Sequence, residues 1–181
     1  MKPKILKPLL ASLFLAAVSP VPAAIAGDTL QADAETAIRN FQSADSTLTN
    51  LFSKAVGYAV FPHVGKGALI FGTEYGKGIV YKQGEPIGEA TVTEINVGPQ
   101  VGGEAFYEII FFQTSEALDS FKQGHFEMSA KVDAAVAAEG AAHNAKYGEG
   151  VLVFTMPRSG LMAQVAIGGQ KFGYKSLATS P

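Results

Sequence analysis

The chain has 181 residues, no cysteine and a formal net charge of −2 at pH 7. The absence of cysteine excludes disulfides, thiolate zinc sites and lipid attachment through cysteine. The slightly acidic balance gives no electrostatic reason to bind nucleic acid, and no motif indicates a cofactor.

Residues 1–26 have the three parts of a secretory signal. Three lysines make a positive start, residues 9–18 are an apolar run too short to span a bilayer, and residues 24–26 are a small-residue cleavage site. A membrane anchor is the disfavoured alternative, because two prolines interrupt the apolar stretch. Removing three lysines leaves 11 basic against 16 acidic residues, a net charge of −5 for residues 27–181. We therefore expect one exported domain, in the periplasm, outside the cell, or peripheral to the outer membrane.

Two helices are predicted at the start of this domain. From Ala34 to Ala55, apolar residues recur at spacings of three, four and seven, which is typical of an amphipathic helix. Ser and Asp cluster at residues 43–46 and predict a break, with Asp45 or Ser46 capping the second helix.

From Gly57 onward, short runs rich in Val, Ile, Phe and Tyr alternate with turn residues and predict antiparallel β-structure. The predicted strands are Tyr58–Phe61, Ala68–Thr73, Gly78–Lys82, Glu89–Val97, Glu104–Phe112, Val151–Met156, Leu161–Ile167 and Lys171–Lys175. A helix is predicted over Ser115–Gln123, with Gly124 at its C-terminal end. Residues 130–138 alternate like a strand, although their alanines favour a helix, and we predict a strand.

These elements predict a single α+β domain. A curved antiparallel β-sheet, sandwich-like or barrel-like, carries the N-terminal helices packed on it. The segment Glu104–Phe112 is apolar on both faces and is expected to be a central strand.

Three similar phrases put two glycines around one charged residue: GKGALI from Gly65, GKGIVY from Gly76 and GEGVLV from Gly148. A phosphate-binding loop is excluded, because Gly72 and Gly76 are separated by three residues rather than four and Gly78 replaces the required hydroxyl. We interpret the phrases as turns or bulges that need positive φ before a strand.

Candidates for catalysis and metal binding are few. The three histidines, His63, His125 and His143, match no metal-binding motif, so no metal is expected. Glu104 and Glu108 share a strand face and make a hydrolase the weakest hypothesis. The favoured interpretation of this pair is a solvated stripe, or one ion-paired to Lys171 or Lys66.

Three segments in order, AVGYAVFPHVGKGALIFGTEYGKGIVY, VGPQVGGEAFYEIIFF and GLMAQVAIGGQKFGY, resemble the SYLF domain of secreted bacterial proteins and of eukaryotic membrane- and actin-remodelling proteins. The resemblance extends from about residue 34 to the C-terminus. It implies a non-catalytic module that binds lipids, with phosphoinositide and actin binding in eukaryotic members. Ala68 and Glu104 depart from the family pattern. The family motif covers Gly57, Tyr58, Phe61, Pro62, Lys66, Gly67, Gly72, Gly76, Gly78, Gly98, Gln100, Gly102, Gly103, Gly168, Gly169, Gln170 and Phe172.

The hypothesis is therefore a non-enzymatic protein of the bacterial envelope whose partner is a phospholipid or membrane surface. Lys66, Lys77 and Lys171 would contact head groups. The apolar stripe of the first helices would contact acyl chains through Phe41, Leu48, Leu51 and Phe52, unless the protein core uses it. The alternative is a protein-interaction or envelope-structural module whose partner the sequence does not identify.

Overall fold

The computed structural model describes residues 23–66, 73–95, 105–126, 134–158 and 169–177. These residues form four helices and seven strands. The helices are α1 (Ala23–Ala44), α2 (Leu48–Lys54), α3 (Ser115–Lys122) and α4 (Ala141–Asn144). The strands are β1 (Gly57–Lys66), β2 (Thr73–Lys82), β3 (Glu85–Ile95), β4 (Phe106–Phe112), β5 (Ala134–Val136), β6 (Val151–Pro157) and β7 (Gln170–Ser176).

The described strands form one sheet in the order β5-β6-β4-β1-β2-β3-β7. Neighbours are antiparallel except β5 and β6, which are parallel. The sheet is strongly curved, since Gln170 of β7 donates a hydrogen bond of 2.9 Å from Nε2 to Oε2 of Glu108 in β4, although three strands lie between them. The predicted α+β fold with a curved, mostly antiparallel sheet is confirmed, and the sheet is open rather than closed into a barrel.

Each face of the sheet has its own core. On the concave face, Phe61, Ile110, Phe112 and Phe172 pack with the helix α3, whose Phe121 ring lies 5.2 Å from that of Phe172. On the opposite face, which we call the helical face, α1 and α2 contribute Ala34, Ala37, Phe41 and Leu48 to a core with Tyr58, Ile109, Phe111 and Phe154. The sheet thus lies between two helical layers.

The break between the first two helices lies where the sequence predicts it. Asp45 is fully buried there, and its Oδ1 accepts a hydrogen bond of 3.0 Å from the backbone N–H of Thr47. Its Oδ2 accepts one of 2.9 Å from the backbone N–H of Ala142, at the start of α4. Asp45 therefore joins the α1–α2 corner to α4, while Thr47 occupies the N-cap position of α2.

The other predicted elements are largely confirmed. The central strand β4 is buried along almost its whole length, and residues 134–136 form a strand as predicted. The predicted Gln83-Gly84 turn joins β2 to β3, with positive φ at both residues (54° and 85°), as a two-residue hairpin requires. Gly124 has a φ of 70° directly after α3. The predicted strand Leu161–Ile167 and most of Ala68–Thr73 lie outside the described residues.

The prediction for the glycine–charge–glycine phrases is correct for one of them and wrong for another. Glu149 and Gly150 form a positive-φ turn before β6. Gly76 and Gly78, in contrast, lie buried inside β2, with no positive φ. A Cβ on Gly78 would lie 2.5 Å from the carbonyl oxygen of Val60 and 2.7 Å from Cδ1 of Phe61. Glycine is present here because β1 approaches β2 too closely for a side chain.

Candidate functional site

The helices α1 and α2 leave part of the helical face of the sheet uncovered. Antiparallel pairing places three rows of residues side by side across β2, β3 and β7 on this face. The rows are Tyr75–Thr93–Lys171, Lys77–Thr91–Gly173 and Ile79–Glu89–Lys175. Ile79 is buried beneath the helices, whereas the three lysines and Tyr75 are exposed. We call the other residues of these rows the polar strip: Tyr75, Lys77, Glu89, Thr91, Thr93, Lys171, Gly173 and Lys175.

The polar strip contains a cavity of about 390 Å³. Gly173 lies at its floor, where a Cβ would come within 2.7 Å of Oγ1 of Thr91. Tyr75 is 42% exposed, which makes it one of the two large apolar or aromatic side chains exposed in the described residues. The cavity is lined by Tyr75, Lys77, Glu89, Ala90, Thr91, Gly173, Tyr174 and Lys175.

The charge of the strip is opposite in sign to that of the whole chain. The strip carries three lysines, Lys77, Lys171 and Lys175, and one carboxylate, that of Glu89, whereas the whole chain has a net charge of −2. Lys77 and Lys171 were predicted from the sequence, whereas Lys175, Glu89 and Tyr75 were not. Strict alternation in Glu89-Ala90-Thr91-Val92-Thr93 was the available pattern, because it predicts one buried and one polar face for β3.

Two of the three predicted head-group lysines are thus brought to one surface. Lys77 and Lys171 lie on strands that both flank β3 but in neighbouring rows, so their backbones are separated by about 10 Å across the sheet and by two residues along the strands. Lys66 ends β1, where its backbone is the register partner of Glu74 in β2. The side chain of Lys66 lies outside the described part of the structure.

The apolar stripe of the first helices is used by the protein core. Phe41 and Leu48 are fully buried, so neither is available to a lipid in this structure. Leu51 and Phe52 are half-buried and pack on the same core, with the Phe52 ring 4.9 Å from that of Phe111. The burial of Phe41 and Leu48 favours the alternative that the core uses the stripe.

Glu108 is not part of a solvated stripe, which corrects that half of the favoured interpretation. It lies fully buried on the concave face, bonded to Gln170 and opposite Thr155 of β6. The described histidines are all exposed, and Glu104, the other carboxylate of the proposed pair, lies outside the described residues. No described histidine therefore supports Glu108 as a catalytic group.

The guanidinium of Arg158, which contacts His63, is a further cation at the border of the polar strip. His63, at the bulge of β1, is the register partner of Lys77. Its Nδ1 lies 3.0 Å from Nη1 of Arg158, which also donates a hydrogen bond of 3.2 Å to the carbonyl oxygen of Pro62. The guanidinium carbon lies 5.0 Å from the centre of the Tyr107 ring, a cation–π geometry. This packing fixes Arg158 beside the strip.

The motif residues fall into two groups. Ten of them lie in the described strands or directly beside them: Gly57, Tyr58, Phe61, Pro62, Lys66, Gly76, Gly78, Gly169, Gln170 and Phe172. The remaining motif residues lie outside the described ranges: Gly67, Gly72, Gly98, Gln100, Gly102, Gly103 and Gly168. They belong to the segments that connect β1 to β2, β3 to β4 and β6 to β7. The flanking strands all end at the same end of the sheet, so the three motif segments start from one end of the domain.

The described residues contain neither a metal-binding cluster nor a helix that could span a membrane. No group of three or more His, Asp or Glu side chains among them is arranged to hold a metal ion. No helix among them combines the length and the apolar character needed to cross a membrane.

Comparison with known proteins shows similarity to one family. Residues 93–178, from the end of β3 to just beyond β7, match the family Ysc84, described as "Las17-binding protein actin regulator". The chain is thus similar to the Ysc84 (SYLF) family over these residues, which make up just under half of it. It is also similar to beta cell expansion factor A of Aeromonas veronii, with 27% identity over 142 residues, which cover 77% of this chain. The aligned part spans about half of that relative, 53% of its length. SYLF domains are in general non-catalytic binding modules, and the family is associated with lipid and actin binding.

Proposed function

We propose that this SYLF domain is a non-catalytic module that binds phospholipid head groups through the polar strip. The observation that carries the proposal is the placement of Lys77, Lys171 and Lys175 on one sheet face that the helices leave uncovered, with Lys77 and Lys175 lining its cavity. Side chains of this kind attract phosphate as mobile point charges. Arg158, held beside His63, adds positive charge at the border of the strip.

The number of cations limits the affinity. Each lysine near an anionic membrane surface contributes about 1 kcal/mol, so the three strip lysines give about 3 kcal/mol. That corresponds to a dissociation constant in the millimolar range or weaker for one isolated site. Binding is therefore weak and salt-sensitive, because exposed charges are screened over about 8 Å at physiological ionic strength.

The test is flotation with liposomes at low and at physiological salt. We expect the chain beginning at Gly27 to float with the vesicles at low salt, and Lys77→Glu/Lys171→Glu to reduce the bound fraction about tenfold or more. The matched control is Lys54→Glu/Lys146→Glu, which makes the same charge change at two exposed sites outside the strip. No flotation with any lipid, or equal loss in the control, would contradict the proposal.

Export is part of the same proposal. The three parts of a secretory signal in residues 1–26 support it. Mass spectrometry of the protein recovered from a periplasmic fraction is expected to show Gly27 as the first residue. Recovery of the full chain from the cytoplasm alone would contradict export without affecting lipid binding.

A second candidate is a protein-binding module. The description of the family names a protein partner, and β7 ends the sheet, so no described strand pairs with its outer side. An extended peptide can add to such an edge through backbone hydrogen bonds. Substituting the outward lysines would leave peptide binding at the β7 edge largely intact, whereas a proline in the middle of β7 would abolish it. These variants therefore distinguish peptide binding from lipid binding.

A further inference from the structure

We propose that the cavity in the polar strip selects a zwitterionic phosphoethanolamine head group over a purely anionic one. This inference rests on the proposed lipid-binding function and specifies its ligand. It concerns Lys77, Lys175, Glu89, Thr91 and Tyr75, all of which line the cavity.

The cavity holds charges of both signs at defined positions. Glu89 of β3 is the register partner of Lys175 in β7, and Thr91, two residues further along β3, is the partner of Lys77 in β2. Lys77 and Lys175 therefore lie on opposite sides of β3, with the carboxylate of Glu89 between their strands. These described side chains make no ion pair with one another, so the charges of Glu89, Lys77 and Lys175 are presented to the cavity rather than neutralised pairwise.

The carboxylate determines which head group fits. A ligand with phosphate alone gains from the lysines but is repelled by Glu89, since like charges at short range disfavour each other. A phosphoethanolamine group places its phosphate against a lysine and its ammonium against Glu89, so both signs are matched. Charge complementarity of this kind determines specificity more than affinity.

The neighbouring groups favour a primary ammonium over a quaternary one. The carboxylate of Glu89 and the hydroxyl of Thr91 are hydrogen-bond acceptors, which a primary ammonium satisfies and a trimethylammonium does not. Recognition of choline-type cations uses cages of several aromatic rings. Tyr75 is exposed beside the cavity, whereas Tyr174 donates its hydroxyl hydrogen bond to the carbonyl oxygen of Ile87 at 2.9 Å. One accessible ring adds a cation–π contact without forming a cage.

The size of the cavity suits a small polar group. At about 390 Å³ it lies near the lower end of the range of ligand sites, which is about 300–1,000 Å³. The floor is kept open by Gly173, because any larger residue there would meet Thr91.

The experiment has a soluble arm and a membrane arm. In the soluble arm, phosphoethanolamine, phosphocholine and inorganic phosphate are titrated separately and backbone amide shifts of β3 and β7 are followed by NMR. In the membrane arm, flotation is compared for phosphatidylcholine vesicles that contain either phosphatidylethanolamine or phosphatidylglycerol. Both arms use the chain beginning at Gly27, together with Glu89→Gln and the control Glu85→Gln, which makes the same change at an exposed site on β3 away from the cavity.

We expect phosphoethanolamine to bind at least threefold more tightly than inorganic phosphate or phosphocholine, with shifts centred on Thr91 and Gly173. Glu89→Gln is expected to reverse the order, weakening phosphoethanolamine and strengthening phosphate and phosphatidylglycerol, while Glu85→Gln leaves it unchanged. Equal affinities in the wild type, or an order that Glu89→Gln does not change, would overturn the selectivity and leave lipid binding standing. Absence of flotation with both vesicle types would overturn lipid binding, and this inference with it.

Discussion

Strands β4 and β3 lie in the same sheet but in opposite surroundings. The strand β4 is covered on both faces: Ile110 and Phe112 pack on the concave side, while Ile109 and Phe111 pack under the helices. The strand β3 is covered on the concave face only, where Ala90 and Val92 are buried. Its other face carries Glu89, Thr91 and Thr93. The comparison shows that the helices leave uncovered β3, β7 and the part of β2 before Ile79, and that the candidate site occupies this part of the sheet.

The largest expected effect is on the doubly covered strand. Phe111→Ala removes a fully buried ring that packs 4.9 Å from Phe52 and 6.2 Å from Phe154. We expect the free energy of unfolding to fall by about 3–5 kcal/mol, as for other buried Phe→Ala changes. Urea denaturation followed by circular dichroism measures it. Thr93→Ala, on the uncovered face of β3, is the matched comparison and is expected to cost less than about 0.5 kcal/mol. Similar losses for the two variants would remove the distinction between the strands.

A smaller effect is expected at Gly78, between the two regions. In Gly78→Ala the new Cβ would meet the Val60 carbonyl oxygen at 2.5 Å, and backbone has to move to relieve it. We expect a loss of about 2–3 kcal/mol, near the upper end for overpacking. In Gly65→Ala the nearest contact is 3.3 Å, to the Cβ of Ala105, so the loss should be under about 1 kcal/mol. Thermal melts of both variants test this order, and a more stable Gly78→Ala would contradict the close approach of β1.

The covering helices depend on Asp45, and this dependence should vary with pH. Burial raises the pKa of Asp45, but hydrogen bonds from the Thr47 hydroxyl and from the backbone N–H groups of Ala142, Thr47 and Gly140 outweigh it and hold the pKa below its ordinary value of 3.8. The carboxylate therefore stabilises the fold above pH 3.8, and this contribution is lost as the pH falls through the lower folded-state pKa.

We expect Asp45→Asn to cost about 1–2 kcal/mol at pH 7, because an amide cannot accept hydrogen bonds through both of its terminal atoms, and we expect the difference from wild type to shrink in acid. Chemical denaturation at pH 7 and at successive values below 4 measures it. Asp33→Asn, an exposed position on α1, is the control and should change little at any pH. A difference that grows in acid would contradict the assigned role.

The smallest effect is expected on the uncovered face itself. Gly173→Ala brings a Cβ within 2.7 Å of Oγ1 of Thr91, a side-chain atom that can rotate away, so the loss should be about 1 kcal/mol or less. Adding Thr91→Ala should recover part of the loss, since residues in contact do not act additively. A double-mutant cycle measured by urea denaturation tests this coupling. Strictly additive losses of stability would mean that Thr91 does not contact the side chain at residue 173.

Much of the fold was predictable because the helices and most strands carry clear periodic patterns. The two-sided apolar sequence of Phe106–Phe112 predicted a central strand, and the break at residues 43–46 predicted two helices. Gly76 and Gly78 were misassigned, because a glycine needed for close packing between strands looks the same in sequence as one needed for a turn. The burial of Glu108 was also unpredictable, since its partner Gln170 is 62 residues away and meets it only through the curvature of the sheet.

The candidate site was predicted in part. Lys77 and Lys171 were identified from their motifs, but the register that aligns them with Lys175 and Glu89 is a property of long-range strand pairing. The stripe from Phe41 to Phe52 has the same amphipathic pattern whether it faces lipid or sheet, so the sequence left both possibilities open. The structure assigns Phe41 and Leu48 to the sheet.

The strand order also sets how the chain can fold. The hairpin of β2 and β3 needs only the two-residue turn at Gln83-Gly84, and hairpins of this kind form in about 1–10 μs. The strand β7, which pairs with β3, begins only at Gln170. The strand β1 pairs with β2 on one side and with β4 on the other, and the β2–β3 hairpin lies between β1 and β4 in the sequence. Strands so far apart in the sequence pair only after long loops have closed, and the entropy lost in closing these loops precedes any favourable contact. Sheets of this kind fold in milliseconds to seconds. The lysines on β2 and on β7 therefore come together only once the C-terminal strand has docked on β3.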